Sequence, residues 1–186
     1  MGTLVYGMSV SLDGYVNSPD GSIDWTDPDG ETHRFVNELE SRVGTYLFGR
    51  RMFETMRVWE DPAFLADLPD FAMEYTPIYL AAQKVVYSTT LEDPGLPRTR
   101  VERQLDLEAI QAWKESSDAD LAVGGPTLAA PLLRAGLVDE LTVFLVPVIV
   151  GGGTRFLPEG LRLDLTLTEE RRFASGTVFL RYATRS

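Results

Sequence analysis

The order of the apolar runs constrains the fold most. Strand-like and helical patterns alternate along most of the chain, and its end carries consecutive strand-like runs. Residues 4–10 (LVYGMSV), 45–49 (TYLFG), 84–88 (KVVYS) and 121–124 (LAVG) are short, apolar and rich in strand formers, as expected of buried strands. Residues 99–103 read as a short edge strand. Helical spacing appears in residues 31–42 (Phe35, Val36, Leu39), 50–56, 107–113 (with Ile110) and after Pro126 (Leu128, Leu132, Leu133). Residues 71–82 read as a helix interrupted or restarted at Pro77. Gly136 ends the helix after Pro126, and residues 137–150 (LVDELTVFLVPVIV) read as one long strand. Residues 161–168 (LRLDLTLT) alternate as a half-exposed strand, and residues 173–183 pair with it as a hairpin. This order predicts one α/β domain over residues 1–186, built on a mixed, mostly parallel sheet. Helices cover both faces, and an antiparallel hairpin closes the C-terminal edge.

Charge and composition then exclude several classes. The formal net charge of −11 argues against nucleic acid and against an anionic membrane surface. An anionic ligand must therefore meet a local cluster of basic groups. The chain has no cysteine and one histidine, which leaves no disulfide framework, no thiolate chemistry and no multi-histidine metal site. No apolar run reaches bilayer length, and the N-terminus enters a strand without a basic region and signal core. A soluble, cytoplasmic protein is the expectation.

Three junctions stand out. In LAVGGPTLAA (residues 121–130) a strand runs into Gly124-Gly125, then Pro126, Thr127 and a helix N-terminus. Glycines let a ligand approach the main chain, and a helix N-terminus offers unpaired N–H groups and partial positive charge. A plain strand-to-helix turn reads equally well. Gly49-Arg50-Arg51 places two guanidiniums at another such junction, where they suit a phosphate monoester or form a solvated pair. Ser88-Thr89-Thr90 puts hydroxyls where a third strand ends. Each junction lies at the carboxyl end of an expected parallel strand, where open α/β sheets bind ligands. Together they suit a dinucleotide. No GxGxxG follows the first strand and no GxxxxGK[ST] occurs, so neither an ordinary Rossmann domain nor a P-loop fits. The long loop over residues 17–30, rich in Pro, Asp and Gly, reads as a lid anchored by Trp25 or as an acidic surface loop.

The chain resembles the dihydrofolate-reductase-like superfamily, in the group related to the C-terminal reductase domain of bifunctional riboflavin-biosynthesis deaminase-reductases. The resemblance is carried by MSVSLDGYV (8–16), FGRRMFETM (48–56), VVYSTTL (85–91), VGGPTLAAPLLRAGLVDEL (123–141) and PVIVGGGTRFLP (147–158), and covers nearly the whole chain. It implies NADPH as cofactor and a homodimer. Gly49, Arg50 and Arg51 would hold the 2′-phosphate, and Ser88 and Thr89 would line the adenosine. Gly124, Gly125, Pro126, Thr127 and Leu128 would cradle the pyrophosphate, with a cis peptide joining the two glycines. The loop over residues 14–25 would cover the nicotinamide. Asp13, Glu31 and His33 are the candidate proton donors. Val123 stands where riboflavin-type enzymes usually carry glutamate, a departure that weakens the pathway's own pyrimidine as substrate. The resemblance thus implies an NADPH-dependent reductase of a small heterocyclic or sugar-like substrate, such as 5-amino-6-(5-phosphoribosylamino)uracil. The alternatives are dihydrofolate as substrate, or a non-catalytic protein that binds NADPH or another ligand.

Overall fold

The computed structural model describes residues 1–184. Strand β1 (Leu4–Ser11) opens the chain. A loop with one 3-10 turn at Asp24–Thr26 leads to α1 (Gly30–Glu40), β2 (Val43–Gly49) and α2 (Arg50–Met56). A second 3-10 turn (Arg57–Glu60) leads through α3 (Pro62–Leu65), α4 (Asp70–Met73) and α5 (Tyr75–Ala81) to β3 (Gln83–Tyr87) and β4 (Thr99–Glu102). Then come α6 (Leu107–Ser116), β5 (Asp120–Gly124), α7 (Pro126–Arg134), β6 (Glu140–Val146), β7 (Leu165–Arg172) and β8 (Val178–Thr184). Among the described residues no helix is long and apolar enough to cross a membrane.

All eight strands form one sheet in the order β4-β3-β2-β5-β1-β6-β8-β7. The six from β4 to β6 run parallel, and β8 then pairs antiparallel with both β6 and β7. The mixed, mostly parallel sheet with its antiparallel C-terminal hairpin is therefore as expected. The period of two along each strand divides the core. Leu4, Tyr6, Leu47, Val85, Leu121 and Val123 pack on one face against Ile110 of α6 and Leu128, Ala129, Leu132 and Leu133 of α7. The other face carries two separate aromatic clusters. Tyr46, Phe48 and Val86 meet Phe53, Tyr75 and Tyr79 from α2 and α5. Phe35 of α1 meets Phe173 and Phe179 beside the hairpin.

Local chemistry moved several boundaries. The long strand over residues 137–150 contracts to β6, because Pro147 cannot continue the ladder. Residues 161–164 are irregular and the strand begins at Leu165. A turn at residues 174–177, with Gly176 at φ +90°, delays β8. The helix over residues 71–82 breaks at Glu74 rather than Pro77, which fits in the first turn of α5. The cis bond between Gly124 and Gly125 is absent, since no described peptide bond is cis. Gly125 turns the chain into α7 by its φ of +99° instead, a region that disfavours residues with a Cβ.

One polar contact lies deep under the larger aromatic cluster. Lys84 Nζ sits 3.0 Å from Glu60 Oε1, with the two side chains 1% and 5% exposed. The contact is an ion pair whose angles do not make a hydrogen bond, and the ammonium also lies 4.4 Å from the centroid of Tyr79. Removing one member leaves a desolvated charge, which costs about 3–5 kcal/mol, whereas apolar replacement of both is often neutral. Lys84→Met is therefore expected to lose stability on that scale in urea unfolding, and Glu60→Leu with Lys84→Met to recover most of it. A Lys84→Met variant as stable as the parent would refute the burial of an uncompensated Glu60.

Candidate functional site

The two aromatic clusters leave a gap over the middle of the sheet. Below it the strands alternate large and small. Leu4, Tyr6, Leu121 and Val123 point to the far core, while Val5, Gly7, Ala122 and Gly124 border the gap. The result is a cleft of about 360 Å³. Tyr46, Phe48, Met52, Trp59 and Tyr75 line one side, and Val36, Leu39 and Phe144 line the other. Thr26, Asp27 and Pro28 from the long loop also line it. Trp25 is not a lining residue, and its indole N–H donates to Ser18 Oγ at 3.1 Å.

The expected cofactor residues come together. Gly49, Ser88 and Gly124 follow or end β2, β3 and β5, which are adjacent in the sheet and parallel, so all three junctions lie on one edge. Asp29, Asp61 and Asp106 cap α1, α3 and α6 with side-chain carboxylates, but Gly49 and Gly125 offer α2 and α7 no side-chain cap. The nine-residue α7 thus keeps first-turn N–H groups at Thr127 and Leu128 without a side-chain partner. Arg50 is partly committed: Nε donates to Glu54 Oε1 at 2.7 Å and Nη1 to Thr90 Oγ1 at 2.8 Å. Arg51 is exposed and has no ion pair among the described residues. Ser88 shapes its loop, its Oγ accepting from Thr90 N at 3.3 Å and Leu91 N at 3.0 Å. Arg103, which the sequence did not single out, braces that loop through the carbonyls of Ser88 and Leu91 at 2.8 and 2.6 Å. Guanidiniums, uncapped N–H groups and open backbone at Gly49, where a Cβ would meet nothing within 4 Å, fit a polyanionic cofactor.

The three expected proton donors do not come together. Asp13 is a clamp. Its Oδ1 accepts from Val150 N at 3.2 Å and its Oδ2 from Gly151 N at 2.8 Å. Desolvation raises its pKa, but hydrogen bonds from Ser11, Gly151 and Val150 outweigh that and hold it below the usual carboxylate value. Asn17 adds a parallel tie, its Oδ1 accepting from Thr154 N at 2.7 Å. The Gly151–Gly153 run is thereby bound to the loop after β1, and Gly153, at φ +120°, lies where a Cβ would strike Asn17. Glu31 reaches away from the cleft, pairing with Arg171 at 3.1 Å and accepting from Ala174 N at 3.3 Å, so it ties α1 to the hairpin. Neither Asp13 nor Glu31 lines the cleft.

His33 does line it. It is 9% exposed rather than on a surface turn, with Phe71, Trp59 and Tyr75 edge-on at centroid distances of 5.6, 6.1 and 6.5 Å. Desolvation lowers its pKa, against weaker raising effects of Asn37, Glu74 and Asp27, so the ring is neutral at pH 7. Deeper in the cleft is an acid that sequence reasoning missed. Tyr75 Oη donates to Tyr46 Oη at 3.1 Å, and Tyr46 Oη donates to Glu40 Oε2 at 2.8 Å. Glu40 is half-buried and lines the cleft. Desolvation raises its pKa, and the bond from Tyr46 offsets only part of the rise. Val123 is 2% exposed and carries no acid to the site.

A match to known proteins agrees with this geometry. Residues 3–179 match the family described as RibD C-terminal domain. An uncharacterized protein of Bacillus subtilis strain 168, YyaP, is 27% identical over 183 residues, covering 96% of this chain and 93% of that one. The crystal structure of a riboflavin biosynthesis protein from Shewanella sp. PV-4 superposes with a TM-score of 0.75 at 18% identity, covering 99% of each chain. A diaminohydroxyphosphoribosylaminopyrimidine deaminase/5-amino-6-(5-phosphoribosylamino)uracil reductase from Thermotoga maritima superposes with a TM-score of 0.65 at 15% identity. That match covers 99% of this chain and only 57% of the larger protein. A match over nearly the whole length, on a sheet whose carboxyl edge gathers the expected motifs, places this chain in the RibD C-terminal domain family.

Proposed function

We propose that the protein is an NADPH-dependent reductase of a small heterocyclic substrate, with 5-amino-6-(5-phosphoribosylamino)uracil, named for the Thermotoga relative, as the first candidate. The observation that carries this reading is the adjacency of the three anion-friendly strand ends to the cleft, with Gly124 belonging to both. Arg51, with Arg50, would hold the 2′-phosphate of the cofactor; the N–H groups of Thr127 and Leu128 would cradle its pyrophosphate, and Ser88 and Thr89 would shape its adenosine side. When bound, NADPH supplies a hydride to the C=N or C=O carbon of the substrate. The substrate's nitrogen or oxygen then needs a proton. Asp13 and Glu31 are engaged elsewhere and His33 is neutral, so the reading assigns the proton to Glu40, whose protonated form burial favours. Tyr46 and Tyr75 extend that acid along the cleft wall.

A second reading is a non-catalytic NADPH- or ligand-binding protein. The commitment of Asp13 and Glu31 to backbone and ion-pair contacts favours it. It predicts NADPH binding without NADPH oxidation on adding either the uracil substrate or dihydrofolate.

Calorimetry tests the cofactor. NADPH is expected to bind, and Arg51→Ala to weaken it roughly 10- to 100-fold, the range of a lost charge-assisted contact, with little change for NADH. Arg50→Ala is expected to cost less, because Glu54 and Thr90 already share that guanidinium. No NADPH binding at millimolar concentration would sink the reductase reading and leave only a protein that binds another ligand.

Glu40 is tested by pH. A carboxyl whose folded pKa is raised contributes fully below its unfolded value and loses stability as pH rises through the folded one. Glu40→Gln keeps an oxygen for Tyr46 and removes the charge. Its melting temperature should match the parent below about pH 4 and exceed it above about pH 7. A gap that does not change with pH would exclude a desolvated carboxyl. Under the reductase reading the same variant loses turnover while retaining NADPH affinity.

A further inference from the structure

The cleft contains one imidazole, and the protein has one histidine, so its protonation can be read without ambiguity. His33 Nδ1 lies 3.1 Å from Asn37 Oδ1. Which atom of the Asn37 amide faces the ring is settled by its other end, where Nδ2 donates to the Phe71 carbonyl at 2.9 Å. The oxygen facing His33 can only accept, so Nδ1 must carry the proton. In a neutral ring Nε2 then bears a lone pair. Nε2 has no partner among the described residues, and it is not among the sealed, partnerless polar atoms, so it opens on the cleft that His33 lines.

We propose that Asn37 is a positioning residue that locks His33 in the Nδ1–H tautomer, so that Nε2 accepts a hydrogen bond from an N–H or O–H group of the ligand in the cleft. This deepens the reductase reading by stating what the substrate must present, and gives His33 the role of acceptor rather than proton donor. The rings of Phe71, Trp59 and Tyr75 hold the imidazole in place. A ligand offering a carbonyl at that point would set lone pair against lone pair. One offering a ring N–H, an amino group or a hydroxyl gains a neutral hydrogen bond, worth roughly 3- to 10-fold in affinity.

The test is nitrogen-15 NMR on tag-free protein near pH 8, in which the one histidine gives one pair of ring nitrogens. Nδ1 is expected to be protonated and Nε2 bare. Asn37→Ala is expected to release the ring to populate both tautomers. If Asn37→Ala fails to fold, the parent spectrum alone decides, since an Nε2–H tautomer there overturns the proposal. The ligand arm uses 5,6-diaminouracil. It should shift the Nε2 resonance and bind His33→Phe roughly 3- to 10-fold more weakly than the parent, with NADPH affinity unchanged. Equal binding to parent and variant, or no binding at millimolar concentration, would overturn the ligand assignment. Neither arm needs turnover or NADPH, so its failure is separable from that of the reductase reading.

Discussion

A Cβ on Gly124 would approach the Phe48 ring at 2.7 and 2.8 Å and Met52 Cγ at 2.9 Å. The cleft wall formed by Phe48 and Met52 therefore stands directly over β5, which can pass it only as bare backbone at Gly124. That one close approach orders much of the site. It brings β5 tightly alongside Phe48, sets the floor level of the cleft, and leads into Gly125, whose positive φ starts α7. The carboxyl edge of the sheet and the cleft meet at the same glycine.

Arg50, Arg51 and Arg103 gather around the ends of β2 and β3 against a formal net charge of −11. The cleft proper is treated differently. Among its lining groups, His33 and the Glu40–Tyr46–Tyr75 chain are biased toward their neutral forms by desolvation, beside charged residues such as Asp27, Asp120, Glu140 and Arg181.

Much of this was legible in the sequence. Strand order, helix placement and the three junctions follow from local patterns, since each depends on neighbours in the chain. The large-small alternation of Leu4-Val5-Tyr6-Gly7 and Leu121-Ala122-Val123-Gly124 was also there to be read as a cleft floor. The partners of the acidic side chains were not legible. Asp13 looks like the acid of a turn until Val150 and Gly151, far along the chain, come to its carboxylate. Glu31 looks available until Arg171 arrives on the hairpin. Glu40, at the end of an amphipathic helix, reads as a solvated charge, and only Tyr46 and its surroundings reveal it as desolvated. The contacts of Asp13 and Glu31 join residues more than a hundred positions apart and leave no local periodicity to detect, and that of Glu40 depends on packing around Tyr46 that no pattern in the chain announces.

The position of β1 has a consequence for how the chain acquires this structure. Its partners are β5, from Leu4 to Leu121, and β6, from Val5 to Glu140. During synthesis β1 waits for more than a hundred residues before either partner exists. Strands β2, β3 and β4 can align with one another earlier, and the central slot between β5 and β6 is filled only when β1 pairs with both. Such non-local closure is slow, and an apolar strand left unpaired invites misassociation. Gly7 and Ser9 of LVYGMSVS soften that hazard, so the same small residues that border the cleft also lower the stickiness of the unpaired strand.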